Sequence, residues 1–543
     1  MARPGTVAII EQFLADGITH MFGNPGTVEQ GFLDALEGFD DFHYILALQE
    51  TVAAGIADGY ARATGHAAVL QLHSGVGLGN GIGMLYQSKR GHTPLVVIAG
   101  EAGLAYDAMD AQMSADLVAM ARPVTKWATR VVHPQSLLRV LRRATKIALT
   151  PPRGPVFVAL PMDVLDALND EPAMATVIPD RRVLPAPELV ARAAAALAPA
   201  RRPVILVGDG VSVSGAEREL RRVAEMLQAD VWFVDSSEAH MPADHPLVRG
   251  QLGHMFGHVS RAAVQEADAV LVVGTYLFPE VFPDLVTPFS PGTPVIHVDL
   301  DDYEIGKNHP VTLGLVADPA LTLRALADDI ERLRPRELMD AAAPHPSVAA
   351  ADEADDGTLI GAFLKELARR APADLMVFDE ALTASPHVVR HLRPGRPGSY
   401  FLTRGGSLGV GIPGAVGMKI ARPERTVVSF SGDGGSLYTY QALWTAVRHE
   451  VAAGFVVCDN HRYELLNKNI EQYWSEREIP RHAYPRSFDL SDPPVDFVGL
   501  ARALGADGIR LDTPDLVPTA VERLLTSRVP FVVHLDTDDT VQN

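Results

Sequence analysis

The segment Ser429-Phe430-Ser431-Gly432-Asp433-Gly434-Gly435-Ser436 carries the sharpest chemical signal in the chain. It follows an apolar run at 426–430 and precedes an expected helix over 439–449. Glycines at 432, 434 and 435 let backbone amides approach an anion, and a helix N-terminus favours negative charge. Asp433 narrows the chemistry, because a carboxylate beside a phosphate cradle repels the phosphate unless a cation sits between them. A second oxygen ligand stands after the next apolar run, 453–458, in Asp459-Asn460-His461-Arg462-Tyr463. Neighbouring parallel strands bring their C-terminal ends to one edge, where α/β proteins bind ligands. Asp433 and Asn460 can thus share one ion with a backbone carbonyl near Arg462, and hard oxygens plus phosphate suit Mg²⁺.

Further candidates lie in the first third. Glu50 opens a helical pattern directly after the apolar run 44–48; a carboxylate there also complements the helix dipole. His73 stands between an apolar run and the loop Gly75-Val76-Gly77-Leu78-Gly79-Asn80, and Thr27 follows the turn Asn24-Pro25-Gly26. Taken singly, each has a plain structural reading. Gly405-Gly406-Ser407-Leu408-Gly409 matches the elbow of serine hydrolases. The adjoining Val410-Gly411-Ile412-Pro413-Gly414 is a poor start for the helix which that elbow requires.

The elements that must position these residues repeat one pattern: short Val/Ile/Leu runs alternating with helices, which implies parallel sheets covered on both faces. The runs fall at 43–48, 67–72, 95–99 and 156–160, then at 203–207, 230–234, 269–273 and 294–298, then at 375–378, 426–430, 453–458 and 531–535. The fold class is therefore α/β, with three Rossmann-like domains expected over 1–180, 188–340 and 357–543. Pro-containing 171–187 and aperiodic 341–357 read as linkers. With 47% hydrophobic and 21% charged residues, disorder is excluded. The net charge of −20 opposes a nucleic-acid surface. The single cysteine, Cys458, excludes an intrachain disulfide and fits a reducing, cytoplasmic setting. No apolar span or leader-like segment appears.

Gly432-Asp433-Gly434, then 24 residues, then Asp459-Asn460, resembles the diphosphate–magnesium motif of thiamine-diphosphate enzymes. That motif usually ends Asn-Asn; Asp459 departs at its first place and Asn460 keeps the ligand place. The resemblance puts Thr383 among the diphosphate contacts and Leu408 in the bulky position that holds the cofactor bent. The string YILALQETVAAGIADGYARATG, with Asn24-Pro25-Gly26-Thr27 and Leu72-His73-Ser74, is similar to the benzoylformate decarboxylase branch. By that similarity Glu50 is the catalytic glutamate, which favours the imino tautomer that removes the thiazolium C2 proton. His73 and Thr27 would orient the substrate carboxylate or relay protons.

The resemblance implies a thiamine diphosphate- and Mg²⁺-dependent, non-oxidative decarboxylase of a 2-oxo acid. Family members place the cofactor between the first block of one chain and the third block of another, so a homodimer or homotetramer is implied. The alternative is a carboligase like acetolactate synthase; a more remote one is a non-catalytic cofactor-binding homologue, whose mark, loss of Glu50, is absent. Two departures bear on the choice. An ungapped alignment puts Val281, beside Phe278 and Phe282, where benzoylformate decarboxylase has a second active-site histidine, with His240 and His254 as possible substitutes. Met113 fills the place of a glutamine characteristic of acetolactate synthases, with Gln112 next to it. Gly208-Asp209-Gly210 reads as plain Rossmann-like connectivity, and no flavin is assigned.

Overall fold

The structure, a computed structural model, describes residues 2–340 and 357–537; nearly all of the expected linker at 341–357 lies outside them. The chain forms two compact units. One comprises Met1–Pro179, Asp356–His391 and Thr403–Asn543; the other comprises Asp180–Asp355 and Leu392–Leu402.

The first sheet of the larger unit contains β1 (His20–Gly23), β2 (His43–Leu46), β3 (Ala68–His73), β4 (Leu95–Glu101), β5 (Trp127–Arg130) and β6 (Val156–Pro161). Its order is β2-β1-β3-β4-β6-β5, all parallel. Val69, Leu70, Val96, Val97, Phe157 and Val158 are fully buried, as continuous apolar strands require when helices cover both faces. Helices α1 (Glu50–Thr64) and α2 (Ser74–Arg90) come after β2 and β3. Gln49 caps α1 by accepting from the Thr51 and Val52 N–H groups, which sets the helix start at Glu50. The segment read as the first linker is tied down at its start: Arg3 donates to the Glu171 carbonyl, Gln12 to that of Met174, and Thr176 N–H to Asp16.

The smaller unit is built on β7 (Pro203–Val207), β8 (Asp230–Val234), β9 (Val248–Leu252), β10 (Ala269–Val273), β11 (Val295–Asp299) and β12 (Leu313–Val316). They run parallel in the order β9-β8-β7-β10-β11-β12, a doubly wound arrangement.

Of the second sheet, five parallel strands lie in the larger unit, β13 (Met376–Glu380), β14 (Val427–Gly432), β15 (Gly454–Asp459), β16 (Asp507–Leu511) and β17 (Phe531–Asp536), in the order β13-β14-β15-β17-β16. Between β13 and β14 runs α3 (Gly411–Ala421), and β14 leads into the single turn α4 (Asp433–Ser436). Two expectations are corrected here. A helix does begin at Gly411, because Pro413 occupies its first turn, where no N–H is needed. The helix expected over 439–449 is instead Ala442–Arg448, and the glycine-rich turn closes on itself first.

Helices α1 and α3 pack at backbone distance within this unit. A Cβ on Gly59 would lie 2.0 Å from the Gly414 carbonyl oxygen, and one on Gly417 would lie 2.0 Å from that of Ile56. Only glycine admits this approach, which locks the helix that starts at Glu50 onto the helix that comes after Leu408.

Candidate active site

Glu50 is buried at the first position of α1. Asn80 Nδ2 donates to its Oε2 at 2.9 Å, and Asn24 Nδ2 to its Oε1 at 3.4 Å. Both amides come from segments that the sequence placed near Glu50 only by resemblance: the turn after β1 and the glycine-rich start of α2. A side chain on Gly77 would begin 3.0 Å from Glu50 Oε1, so the glycine there leaves the carboxyl room.

His73 ends β3, and its Nδ1 lies 2.9 Å from Glu29 Oε2. Glu29 is buried, and its other oxygen accepts from the Gly100 N–H at 3.1 Å. Burial raises the Glu29 carboxyl, while the hydrogen bond with His73 pulls it down. With Glu29 holding Nδ1, the neutral ring keeps Nε2 as the nitrogen able to take a proton. Gly26 packs against the imidazole so closely that a Cβ would stand 1.9 Å from Nδ1. Thr27, next in the turn, is exposed. Glu29 is not among the residues singled out by sequence; its only signal there is a charged side chain two places after Thr27, and the fold alone brings it to His73. Burial first, then the charges of Glu29 and Glu50, push the Tyr44 phenol up, so both carboxyls act on one small volume.

At the other sheet, Asp433 opens α4 and is buried. Its Oδ1 accepts from the Gly434 N–H at 2.8 Å; its Oδ2 is buried with no partner. The pairing of Gly432 with Cys458 puts Asp433 beside the end of β15, next to Asp459 and Asn460. Burial, reinforced by the neighbouring Asp459, raises the Asp433 carboxyl. For Asp459 burial is outweighed by the hydrogen bond with His534, so that carboxyl lies low. His534 Nε2 is 2.8 Å from Asp459 Oδ2, and His461 Nδ1 is 3.0 Å from Oδ1. These two histidines account for the acid in an asparagine's place: its charge is directed to them. Asn460 Oδ1 accepts from the Arg462 N–H at 3.2 Å, a turn that orders 460–462.

Gly434 lies against Tyr463; a Cβ there would be 2.4 Å from its ring. Thr383 sits, half-buried, in a tight turn just past β13. Leu408 is half-buried, with its Cβ 3.9 Å from where a Gly435 side chain would start. Asp433, Gly434, Gly435 and Leu408 are therefore brought together, as are Glu50 with Asn24 and His73 with Gly26. Glu50's hydrogen bonds stay within its own block. Ser407 does not stand on a strand-to-helix elbow, since α3 begins only at Gly411.

In the smaller unit Val281 is exposed and its N–H donates to the His254 carbonyl. Phe278, expected beside it, turns inward against Phe289 and His309. The left-handed backbone at Phe278 makes that turn. His240 is fully engaged by Ser212, Ser236 and Asp209, and burial lowers His254.

The donor set at Asp433 suits a hard cation. Among the described residues no three His, Cys, Asp or Glu cluster to hold a metal. A cation here would rest on one orphaned carboxylate oxygen, an amide and a carbonyl, with diphosphate oxygens completing the shell.

Residues 4–120 match the N-terminal TPP binding domain of the thiamine pyrophosphate enzymes, 190–326 the central domain and 383–535 the C-terminal TPP binding domain. The chain belongs to this family. It is similar to the benzoylformate decarboxylase of Pseudomonas aeruginosa, 32% identical over 539 residues that cover 96% of each chain. It is also similar to the acetolactate synthase isozyme 2 large subunit of Escherichia coli, at 30% identity over 98% of this chain and 96% of that one. The thiamine diphosphate-dependent 4-hydroxybenzoylformate decarboxylase of Rhodococcus jostii superposes with a TM-score of 0.89 at 27% identity, covering 99% of each chain. Among the described residues no helix is long and apolar enough to cross a membrane.

Proposed function

We propose that the chain is a thiamine diphosphate- and Mg²⁺-dependent enzyme that removes CO₂ from a 2-oxo acid without oxidation, leaving an aldehyde. The observation that carries this reading is Glu50, a buried carboxyl at a helix start, held by the amides of Asn24 and Asn80.

When bound, thiamine diphosphate supplies a carbon nucleophile and an electron sink for cleavage beside a carbonyl. Glu50 would hydrogen-bond the pyrimidine ring, and Asn24 and Asn80 fix the direction in which its oxygens point. Asp433, Asn460 and the Arg462 carbonyl would hold Mg²⁺, and the glycine-rich turn at 432–435 would take the diphosphate. Thr383 would add a hydroxyl to that end, and Leu408 would support the cofactor from below. His73, oriented by Glu29, moves a proton at Nε2, replacing the carboxylate that leaves as CO₂; the Thr27 hydroxyl orients that carboxylate.

By family resemblance the cofactor would be shared between the first block of one copy and the third block of another, in at least a dimer and by the same resemblance a tetramer. A single buried cysteine supports a cytoplasmic setting.

The similarity to acetolactate synthase favours one other reading, a carboligase that passes the acyl unit to a second aldehyde or 2-oxo acid. Incubation with aryl, branched and short-chain 2-oxo acids, with and without an acceptor aldehyde, separates the two. Aldehyde and CO₂ in equal amounts support the decarboxylase; acyloin as main product supports the carboligase. No turnover of any 2-oxo acid in the presence of cofactor and Mg²⁺ would overturn both.

A further inference from the structure

Glu380 ends β13 and is buried to within 1% of its surface. Its carboxyl is gripped by the loop that crosses above it: the Gly409 N–H donates to Oε1, and the Gly411 N–H donates to Oε2 at 2.5 Å. The Val410 N–H faces the same group. Three successive backbone N–H groups at a helix start form a cradle of the kind that elsewhere binds an external anion. Here the anion is the protein's own side chain.

The neighbours of this carboxyl make the arrangement more than a cap for α3. A Gly435 side chain would begin 3.3 Å from Glu380 Oε1, so the carboxyl lies directly beneath the glycine-rich turn. Gly409 has a left-handed backbone and its carbonyl accepts from Thr439 Oγ1 at 2.6 Å, tying the same loop to the far side of that turn. Leu408 is the residue immediately before this grip.

A buried carboxyl is costly, and Asp379 beside it adds to the cost. Burial pushes Glu380 up to about 7, while the Gly411 and Gly409 N–H groups pull the other way. An apolar side chain would avoid the burial cost and leave the loop N–H groups unsatisfied.

We propose that Glu380 is a positioning residue: its carboxylate pins 409–411, and with them Leu408, against the 432–436 turn before any ligand arrives. This rests on the reading of that turn and of Leu408 as parts of a cofactor site. The loop is thus preassembled, and cofactor binding does not have to supply the ordering.

Amide hydrogen exchange on the full chain without cofactor, at pH 8, tests the pin directly. In the wild type, Gly409, Val410 and Gly411 should be protected like the neighbouring strand β14. In Glu380→Gln, which keeps the shape and one acceptor but turns an NH₂ toward a backbone N–H, their exchange should rise about tenfold or more. Exchange in β14 and β15 should not change. Thiamine diphosphate affinity with Mg²⁺ should weaken by about tenfold, with kcat at saturating cofactor altered less. Unprotected 409–411 amides in the wild type, or protection unchanged in Glu380→Gln, would overturn the proposal. The wild-type arm needs no variant to fold. If the wild type bound no thiamine diphosphate, the functional reading would fail while the exchange data still judged the pin.

Discussion

Gly208-Asp209-Gly210 and Gly432-Asp433-Gly434 are the same tripeptide in the same setting, at the C-terminal end of a buried parallel strand. Their aspartates meet opposite fates. Asp209 is saturated: its Oδ1 accepts from the Ser237 N–H at 2.8 Å and the Ser236 hydroxyl at 3.4 Å, its Oδ2 accepts from the Ser237 hydroxyl, and His240 stands 3.3 Å away. Asp433 keeps one buried oxygen with no partner. One turn is closed by its own neighbours, and the other is left with an unmet demand for positive charge. Such a motif becomes a site through what the fold withholds from its carboxylate.

The contrast is most exposed by activity. Glu50 shares the unit of Asp433, and Glu50→Gln should lower turnover of a 2-oxo acid by about two to four orders of magnitude with cofactor binding largely kept. Asp209→Ala should leave turnover per folded enzyme near that of the wild type. Steady-state assays with equilibrium dialysis of the cofactor would check both; a loss in Asp209→Ala comparable to that in Glu50→Gln would break the distinction.

Stability should show the reverse. Asp209→Ala strands the Ser237 N–H and weakens the anchor of His240, at a cost of about 1–3 kcal/mol read by urea unfolding. An unchanged midpoint would mean that Asp209 is not the plug its contacts imply.

The smaller unit also carries an acid-sensitive group. His297 is fully buried; its Nε2 pairs with the Thr275 carbonyl at 2.8 Å, and its Nδ1 accepts from the Gly306 N–H at 3.3 Å. The neutral ring satisfies both, and burial lowers its pKa from 6.5 to about 4. A base with a lowered pKa contributes stability above its unfolded value and loses it as pH falls from 6.5 through 4. The full effect is at most about 3 kcal/mol, and about 2 kcal/mol of it is reached by about pH 5. Chemical unfolding between about pH 7.5 and 4.5 should show this slope in the wild type and a flatter one in His297→Gln. Equal slopes would remove His297 as the cause.

Much of this architecture is legible in residue order. The interior strands are readable because both faces are buried and nearly every residue is apolar, as in Leu95–Glu101 and Ala269–Val273. Four strands that pattern alone does not reveal, Trp127–Arg130, Val248–Leu252, Leu313–Val316 and Asp507–Leu511, lie at sheet edges where polar residues or a glycine interrupt the pattern. Another, His20–Gly23, is interior and too short to stand out. Glu50 is conspicuous because local pattern places it at the start of a helix, and Asp433 because it is a carboxylate inside a glycine-rich turn after a strand. Glu29 and Glu380 are not, since their roles rest on contacts with residues 44 and 29 positions away. The start of α3 is hidden because glycine and proline weigh as helix breakers. At that position close packing against Gly55 and Gly59 favours them.

The most direct test of the open turn is a titration of thiamine diphosphate into the wild type, Asp433→Ala and Asp209→Ala, each with and without Mg²⁺. The wild type should bind only when Mg²⁺ is present, Asp433→Ala should lose about a hundredfold in affinity, and Asp209→Ala should stay within about twofold of the wild type. Wild-type affinity in Asp433→Ala, or binding indifferent to Mg²⁺, would contradict the assignment of the 432–436 turn as the diphosphate and metal site.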